Sequence, residues 1–317
     1  MQNQQLRDWS FVSVDLELTN RCEHRCALCP REALSRPVGT MTREVFHRLA
    51  PVLGSRGSLV SLSGMGDPLR HPDVFRFCTA LRGHGADVRM VVNPASLRDA
   101  GTLRDLVECR PNSVLLSFPS SRKAVFEQIC PALSFEDALE AARTLIALAR
   151  GKVGVRVSGV RTALNREEAG DFVRFWDSLG ARAGMADCHG RGGKLPPSAL
   201  YVPAARGSRR EGCGLFAFHT FVTWEGEVLA CCHDLSGETA LGSLVDQGFE
   251  TMAARKACLL EEGRGFDLCR SCDEPLRSCT LPNGPAPRDR RARRRFFKKL
   301  SASSRQLSVC RGERPRG

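Results

Sequence analysis

Apolar and polar positions along the first 190 residues alternate between two periods. Short apolar runs of strand character give way to longer segments with a helical repeat, again and again. The first run, Phe11 to Leu18, reads as a strand. Thr42 can cap a helix running to about Leu53, with Glu44 in its first turn. A second strand spans Ser58 to Ser63, a helix follows from Pro72 to about Arg82, and a third strand covers Asp87 to Val92. A helix through Leu97 to Val107 leads to a fourth strand at Ser113 to Phe118. Lys123 to Arg150 is expected to hold one or two helices, the second capped by Ser134. The fifth strand, Lys152 to Val160, shows the alternation Val153, Val155, Val157. A helix around Glu167 to Leu179 then leads to the sixth strand, Ala181 to Asp187. These units predict an α/β fold with an open, curved parallel sheet, a partial (β/α)6 TIM-like barrel. In barrels of this kind the chemistry sits at the carboxyl ends of the strands.

The alternation stops after Gly190. Arg191-Gly-Gly and Pro196-Pro197 read as a linker, followed by a hairpin from His219 to Cys231 that turns at Glu225-Gly226. The expected organisation is a barrel over residues 1–190, a small C-terminal domain over 191–280, and a tail over 281–317.

Cysteines give this frame its chemistry. Cys22, Cys26 and Cys29 follow the first strand at Cys-x3-Cys-x2-Cys spacing. Three thiolates on so short a loop can converge on one centre, and thiolate is the ligand that iron–sulfur clusters take. Three ligands on a four-iron cluster leave one iron open for a small molecule. Zinc prefers Cys-x2-Cys pairs and a closed tetrahedral set, so a zinc knuckle fits this spacing poorly. The loop resembles the signature of the radical S-adenosylmethionine (AdoMet) enzymes. In that family the open iron chelates AdoMet, and the reduced cluster cleaves it to methionine and a 5′-deoxyadenosyl radical that takes a hydrogen atom from substrate.

The resemblance extends along the strand ends. Gly64-Met65-Gly66-Asp67-Pro68 is similar to the family's Gly-Gly-Glu-Pro stretch, which holds the amino group of AdoMet. It departs from that pattern at Met65 and at the shorter acid, Asp67. Asn93 matches the Asn that often ends the family's third strand, and Ser117 the Ser at the end of the fourth, near the AdoMet ribose.

A second set follows: Cys213, then Cys231 behind the hairpin, then Cys269-Arg-Ser-Cys272. Zinc and an iron–sulfur cluster both suit such spacing. With Leu241-Gly242-Ser243-Leu244, these segments resemble the SPASM/twitch extension of radical AdoMet enzymes. Cys279 falls one residue off the register of a further SPASM cluster, so the twitch version, with one auxiliary [4Fe-4S] cluster, fits better. The resemblance implies two [4Fe-4S] clusters, AdoMet and an external one-electron reductant of flavodoxin or ferredoxin type. Cys231 and Cys232 are adjacent, and the motif favours Cys231 as the ligand.

Charge changes the picture little. The net +12 invites a nucleic-acid reading, but twelve basic and two acidic residues lie beyond residue 280, leaving +2 on the remainder. That run, including Arg290 to Arg295, reads as a solvated helix or a disordered end, and nucleic acid is not the expected partner. Fifteen cysteines without a signal peptide point to a reducing cytoplasm, and no apolar run approaches the roughly 18 residues that span a bilayer. The rival from another class is a zinc-binding module whose basic tail engages nucleic acid.

Twitch-bearing relatives include 2-deoxy-scyllo-inosamine dehydrogenase and aminoglycoside epimerases, while many SPASM relatives modify ribosomal peptides, often with a recognition domain before the barrel. The first cluster cysteine stands at residue 22, so the expectation is a small polar substrate, an aminoglycoside or aminocyclitol. Cys188, at the end of the sixth strand, faces the site if the register holds, and a thiol is the usual donor when a hydrogen atom returns to the opposite face. Epimerisation is therefore the first expectation and dehydrogenation to a ketone the second. Asp187 and His189 flank Cys188 and by alternation point away from its face. Cys78, Cys109 and Cys258 fall in helices, Cys130 in a loop and Cys310 in the tail, and none of these is assigned a role.

Overall fold

The computed structural model describes residues 2–203, 213–263, 265–278, 285–287 and 289–309, the last nine for backbone only. Cys279 and Cys310 lie outside the described residues. Helix α1 (Gln2–Trp9) precedes β1 (Ser13–Leu16); then come α2 (Arg43–Ser55), β2 (Leu59–Leu62), α3 (Val74–Gly83), β3 (Asp87–Val92), α4 (Ala100–Glu108) and β4 (Ser113–Ser117). Helices α5 (Lys123–Ile129) and α6 (Phe135–Ala149), β5 (Gly154–Arg161), α7 (Ala169–Ser178) and β6 (Arg182–Asp187) complete the alternating part. Strands β1 to β6 pair in chain order, all parallel, into an open sheet, as the partial barrel requires.

The remaining elements join the same sheet at its other edge. After α8 (Gly214–Phe218), β7 (His219–Val222) lies parallel to β1, with β8 (Glu227–Leu229) and β9 (Ala240–Ser243) antiparallel beyond it. Helix α9 (Leu244–Glu261) bends at Gly248, whose φ is 76°, and α10 (Arg290–Val309) closes the chain. No helix among the described residues is long and apolar enough to cross a membrane.

Side-chain oxygens start four of the helices. Thr42 accepts from the Val45 amide, Asp99 from Thr102, Ser134 from Asp137 and Ser243 from Asp246, each satisfying a donor the helix leaves open. Strand β1 is shorter than its apolar run because Phe11 and Val12 are buried by packing ahead of the ladder rather than within it. The fourth helix starts at Ala100 rather than Leu97, because Asn93 caps a separate 3-10 turn, Pro94–Leu97.

The two faces of the sheet differ sharply. Val14 and Leu16, Val60 and Leu62, Val88 and Met90, Val114 and Leu116, and Val157 are fully buried against the helices. The concave face, one residue out of phase, carries Asp15, Ser61, Arg89, Ser113, Ser117, Arg156, Ser158, Arg182 and Gly184, with Val91 and Leu115 among them. A core of helix-facing aliphatics holds the sheet, and a polar hollow is left inside. The tail is folded as far as Leu300: Phe296 and Leu300 bury against Trp9, Val12 and Phe218, and Arg290 and Arg293 reach Asp87 at 3.4 and 3.9 Å.

Candidate active site and cluster cradles

The loop after β1 carries Cys22, Cys26 and Cys29, all half-buried. Buried Asn20 fixes its stem: the side chain donates to the Pro37 carbonyl (2.8 Å) and accepts from the Gly39 amide (2.8 Å). The Ala27 amide donates to the Ile129 carbonyl at 2.8 Å, which ties the loop to the end of α5. That contact brings up a thiol that sequence reasoning left without a role. Cys130, buried one residue past α5, donates to Cys26 and lowers the Cys26 thiol to about 7. Burial pushes Cys22 and Cys29 up. Arg191 is close enough to Cys29 for its charge to offset part of that rise.

Beside this loop, Gly64-Met65-Gly66-Asp67 folds over the end of β1. A Cβ on Gly66 would lie 2.2 Å from the Thr19 carbonyl oxygen, and one on Gly64 would strike Glu17, so both positions need glycine for close approach. Glu17, fully buried, holds the turn. It accepts from the Met65 amide at 3.0 Å and from both terminal nitrogens of buried Arg36, at 2.9 and 3.1 Å. Neither Glu17 nor Arg36 was anticipated, since a lone acid in a strand and a lone base in a loop carry no local signal. Asp67 is 4% exposed and already engaged: it accepts from the Leu69 amide at 3.0 Å, from Ser96 Oγ, and lies 3.3 Å from His24 Nε2 in the cysteine loop. Burial raises Asp67, but these partners outweigh it and hold the carboxyl below its ordinary value. Asn93 accepts from the Ala95 amide at 2.9 Å as the cap of its turn, and Ser117 sits half-buried on the concave face opposite Ser158.

The second cysteine set also converges. Cys213 leads into α8, Cys231 and Cys232 follow β8, and Cys269 lies within a 3-10 turn, Asp267–Ser271, that Cys272 ends. All five line one cavity of about 310 Å³, with Leu215, Phe216, Leu259, Leu260 and Phe266 as apolar walls. The charges of Cys231 and Cys269 act on Cys213, and those of Cys231 and Cys213 on Cys272; burial is the larger cause, raising Cys213 to about 11 and Cys272 to about 12. The Cys232 thiol donates to Cys231, which is thereby lowered to about 6. The two neighbours have different surroundings. Cys232 lies within 4.8 Å of the metal-ligating atoms of Asp15 and His219 on the concave face.

Cys188 continues the register of Gly184 and Ala186 past the end of β6, which sets it on the concave side. It is half-buried, and desolvation raises its thiol to about 11, so it stays protonated. The charge of Arg191 reaches both Cys29 and Cys188, so it lies near the first cysteine loop and the end of β6 alike. Asp187 turns the other way and pairs with Arg161 at 2.7 Å. His189 and His233 share the Glu274 carboxylate, with Nε2 to Oε2 distances of 3.2 and 3.1 Å. Burial pushes His189 down to about 4; it would raise Glu274, but the two imidazoles hold that carboxyl at about 2. Asp273 accepts from the Gly190 amide and the Tyr201 hydroxyl, both at 2.7 Å, and so ties the end of β6 to the second cysteine set.

The donor sets suit iron–sulfur clusters: three loop thiols near a glycine-tight turn, and a largely apolar cavity walled by thiols. The radical SAM superfamily model matches residues 16–175, and the model for the SPASM iron-sulfur cluster-binding domain matches residues 213–273. The chain therefore belongs to the radical SAM superfamily, and its cofactors are S-adenosylmethionine and iron–sulfur clusters. As an enzyme of that superfamily it needs a one-electron reductant. Among solved structures, BtrN in complex with AdoMet and 2-DOIA is similar at 18% identity, with a TM-score of 0.54 and coverage of 83% of this chain and 93% of BtrN. SuiB of Streptococcus suis bound to precursor peptide SuiA has 14% identity and a TM-score of 0.60, covering 83% of this chain and 70% of SuiB. Native anSMEcpe with bound AdoMet has 14% identity and a TM-score of 0.59, covering 93% and 99%. At such identities the likeness establishes the shared fold. No curated protein matches the chain.

Proposed function

We propose that this enzyme removes a hydrogen atom from a hydroxyl-bearing carbon of a small carbohydrate-type substrate, of which aminoglycosides and aminocyclitols are the first class to try, and returns one from Cys188 with inversion. Cys22, Cys26 and Cys29 hold the first cluster in this reading, and Cys213, Cys231, Cys269 and Cys272 the auxiliary one. The Gly64 to Asp67 turn, Asn93 and Ser117 line the AdoMet side. Bound there, the cluster and AdoMet supply the 5′-deoxyadenosyl radical that opens the reaction.

The observation that carries the reading is Cys188: a protonated, half-buried thiol in the concave-face register at a strand end. Its S–H bond breaks as the new C–H bond forms, leaving sulfur one electron and one proton short; the external reductant supplies the electron and solvent the proton. Tyr201 and Asp273 fix the backbone beside Cys188 through Gly190. A second reading, oxidation to a ketone, draws support from BtrN, whose complex holds 2-DOIA. Peptide modification draws the same kind of support from SuiB and its precursor peptide.

The test is anaerobic turnover with candidate aminoglycosides in deuterated water. Deuterium at an inverted carbon, lost in Cys188→Ala, is the expected result. A ketone from wild type and from Cys188→Ala alike removes the epimerase assignment.

A further inference from the structure

The concave face holds charge that the cofactors do not use. Arg89 on β3, Arg156 on β5 and Arg182 on β6 share the phase of Asp15, opposite to the buried aliphatics. Arg156 and Arg182 are paired neighbours in the sheet, and both are solvent-exposed although β5 lies inside it. Arg89 is half-buried and close enough to Arg156 that each cation feels the other. Among the described residues, no carboxylate forms an ion pair with any of the three. Asp15 and Asp87 lie near enough for their charge to act on Arg89, but each is shared with other cationic or imidazole groups. Asp15 lies 3.3 Å from His219 Nε2, and Asp87 faces Arg290 and Arg293.

Small residues keep the space around these cations open. Ser113 and Gly154 lie in the row of Arg89, and Ser158 and Gly184 in the row above Arg156. A Cβ on Gly154 would meet nothing within 4 Å, and one on Gly184 would meet only the Arg156 guanidinium, at 3.4 Å. Glycine is unfavourable in a strand unless something must approach closely. Two glycines beside unneutralised guanidinium groups make a hollow fitted for an anion, which a planar guanidinium grips through two parallel hydrogen bonds. Arg89 stands four residues below Asn93 on its strand, and Arg156 and Arg182 two residues below the row of Ser117, Ser158 and Gly184, so the cations lie about 7 to 13 Å beneath the rim where the cysteine loop sits.

We infer that the hollow formed by Arg89, Arg156, Arg182, Gly154 and Gly184 binds an anionic group of the substrate, a carboxylate or a phosphate ester, while the carbon to be attacked lies toward the rim. This rests on the proposed hydrogen-atom transfer at a carbohydrate-type carbon, and it shifts the substrate class from aminoglycosides and aminocyclitols to sugar acids and sugar phosphates. A substrate bearing only amines would meet repulsion on this floor, whereas a sugar acid or a sugar phosphate of about the same span would be held at one end.

Binding without turnover tests it, so failure here stays distinct from failure of the radical chemistry, which is read by 5′-deoxyadenosine release. Cluster-loaded protein is titrated calorimetrically, at low ionic strength, with glucose 6-phosphate, glucuronate, glucose and glucosamine. The expected result is binding of at least one of the two anions about tenfold or more tighter than glucose, with glucosamine weakest. The phosphate and carboxylate arms separate the two sources. Arg89→Gln/Arg156→Gln should abolish the preference, and Gly154→Leu should weaken anion binding with every arginine in place. Glucosamine binding as well as the anions, no anion binding at millimolar concentration, or a preference unchanged in the double variant would each overturn the inference.

Discussion

The ion pair beneath the Gly64 to Asp67 turn offers a sharp test, because theory separates breaking such a pair from replacing it. Glu17 is 0% exposed and Arg36 7%, and two hydrogen bonds of 2.9 and 3.1 Å join them. Removing the cation in Arg36→Met strands a carboxylate in the core, at a cost of about 3–5 kcal/mol. For a chain of this length that corresponds to a loss of roughly 5–8 °C in melting temperature. Converting both residues, Glu17→Met/Arg36→Met, removes the buried charge altogether, and most of the loss should return.

Recovery should be incomplete in one respect. The Met65 amide, which donates to Glu17 at 3.0 Å, has no acceptor in the double variant. Stability should therefore return while AdoMet affinity stays low by about tenfold, the worth of one orphaned donor. The assays are differential scanning fluorimetry under anaerobic conditions at one scan rate, and equilibrium binding of AdoMet to the loaded protein. An Arg36→Met protein melting within about 1 °C of wild type, well short of the expected shift, would refute the premise that burial makes the pair costly to break. A double variant no better than the single would assign the loss to side-chain packing instead of charge.

Three further outcomes follow from the same geometry. Loaded wild type should hold about eight irons per chain; Cys231→Ala should fall to about four, while Cys232→Ala keeps the full complement, as counted by colorimetric iron and sulfide analysis. Gly66→Ala should abolish 5′-deoxyadenosine release yet retain the second cluster's absorption, because its Cβ would sit 2.2 Å from the Thr19 oxygen, away from the auxiliary cavity. Stability should fall on mild acidification: the His189 value of about 4 lies below the ordinary 6.5, so the unfolded chain binds more protons between them. The slope is at most about 1.4 kcal/mol per pH unit, and the melting temperature between pH 7 and 5 should flatten in His189→Asn.

What could be read from the chain and what could not divide along a physical line. The βα order, the Thr42 and Ser134 caps and the first cysteine loop follow from local rules: periodicity, a hydroxyl before a helix, thiols at short spacing; the second cysteine set, spread over residues 213–272, was legible through its resemblance to the SPASM/twitch pattern. Glu17, Arg36, Cys130 and the Asp15–His219–Cys232 group depend on which distant segments meet, and no spacing encodes that. Helix α9 was legible only around Cys258, because Gly248 interrupts its repeat, and the packing of the tail was not, because its charges hide Phe296 and Leu300 on one face.

The arginine floor falls between these cases and shows how the two kinds of information combine. Each arginine sits in a strand whose alternation could be seen, yet alternation alone does not say which face is concave. Once β1 to β6 pair in order, Val14, Val88, Met90 and Val157 fix the helix-facing side, and every residue out of phase with them must face the hollow. Arg89, Arg156 and Arg182 then share one interior with Asp15, whose carboxylate burial would raise but which His219 and its other neighbours hold low. Cations left in excess in a wet interior raise the local concentration of anions there. A radical enzyme has to hold its substrate while a reactive carbon is exposed, and a charge-matched anchor far from the rim does so without crowding the atoms that react.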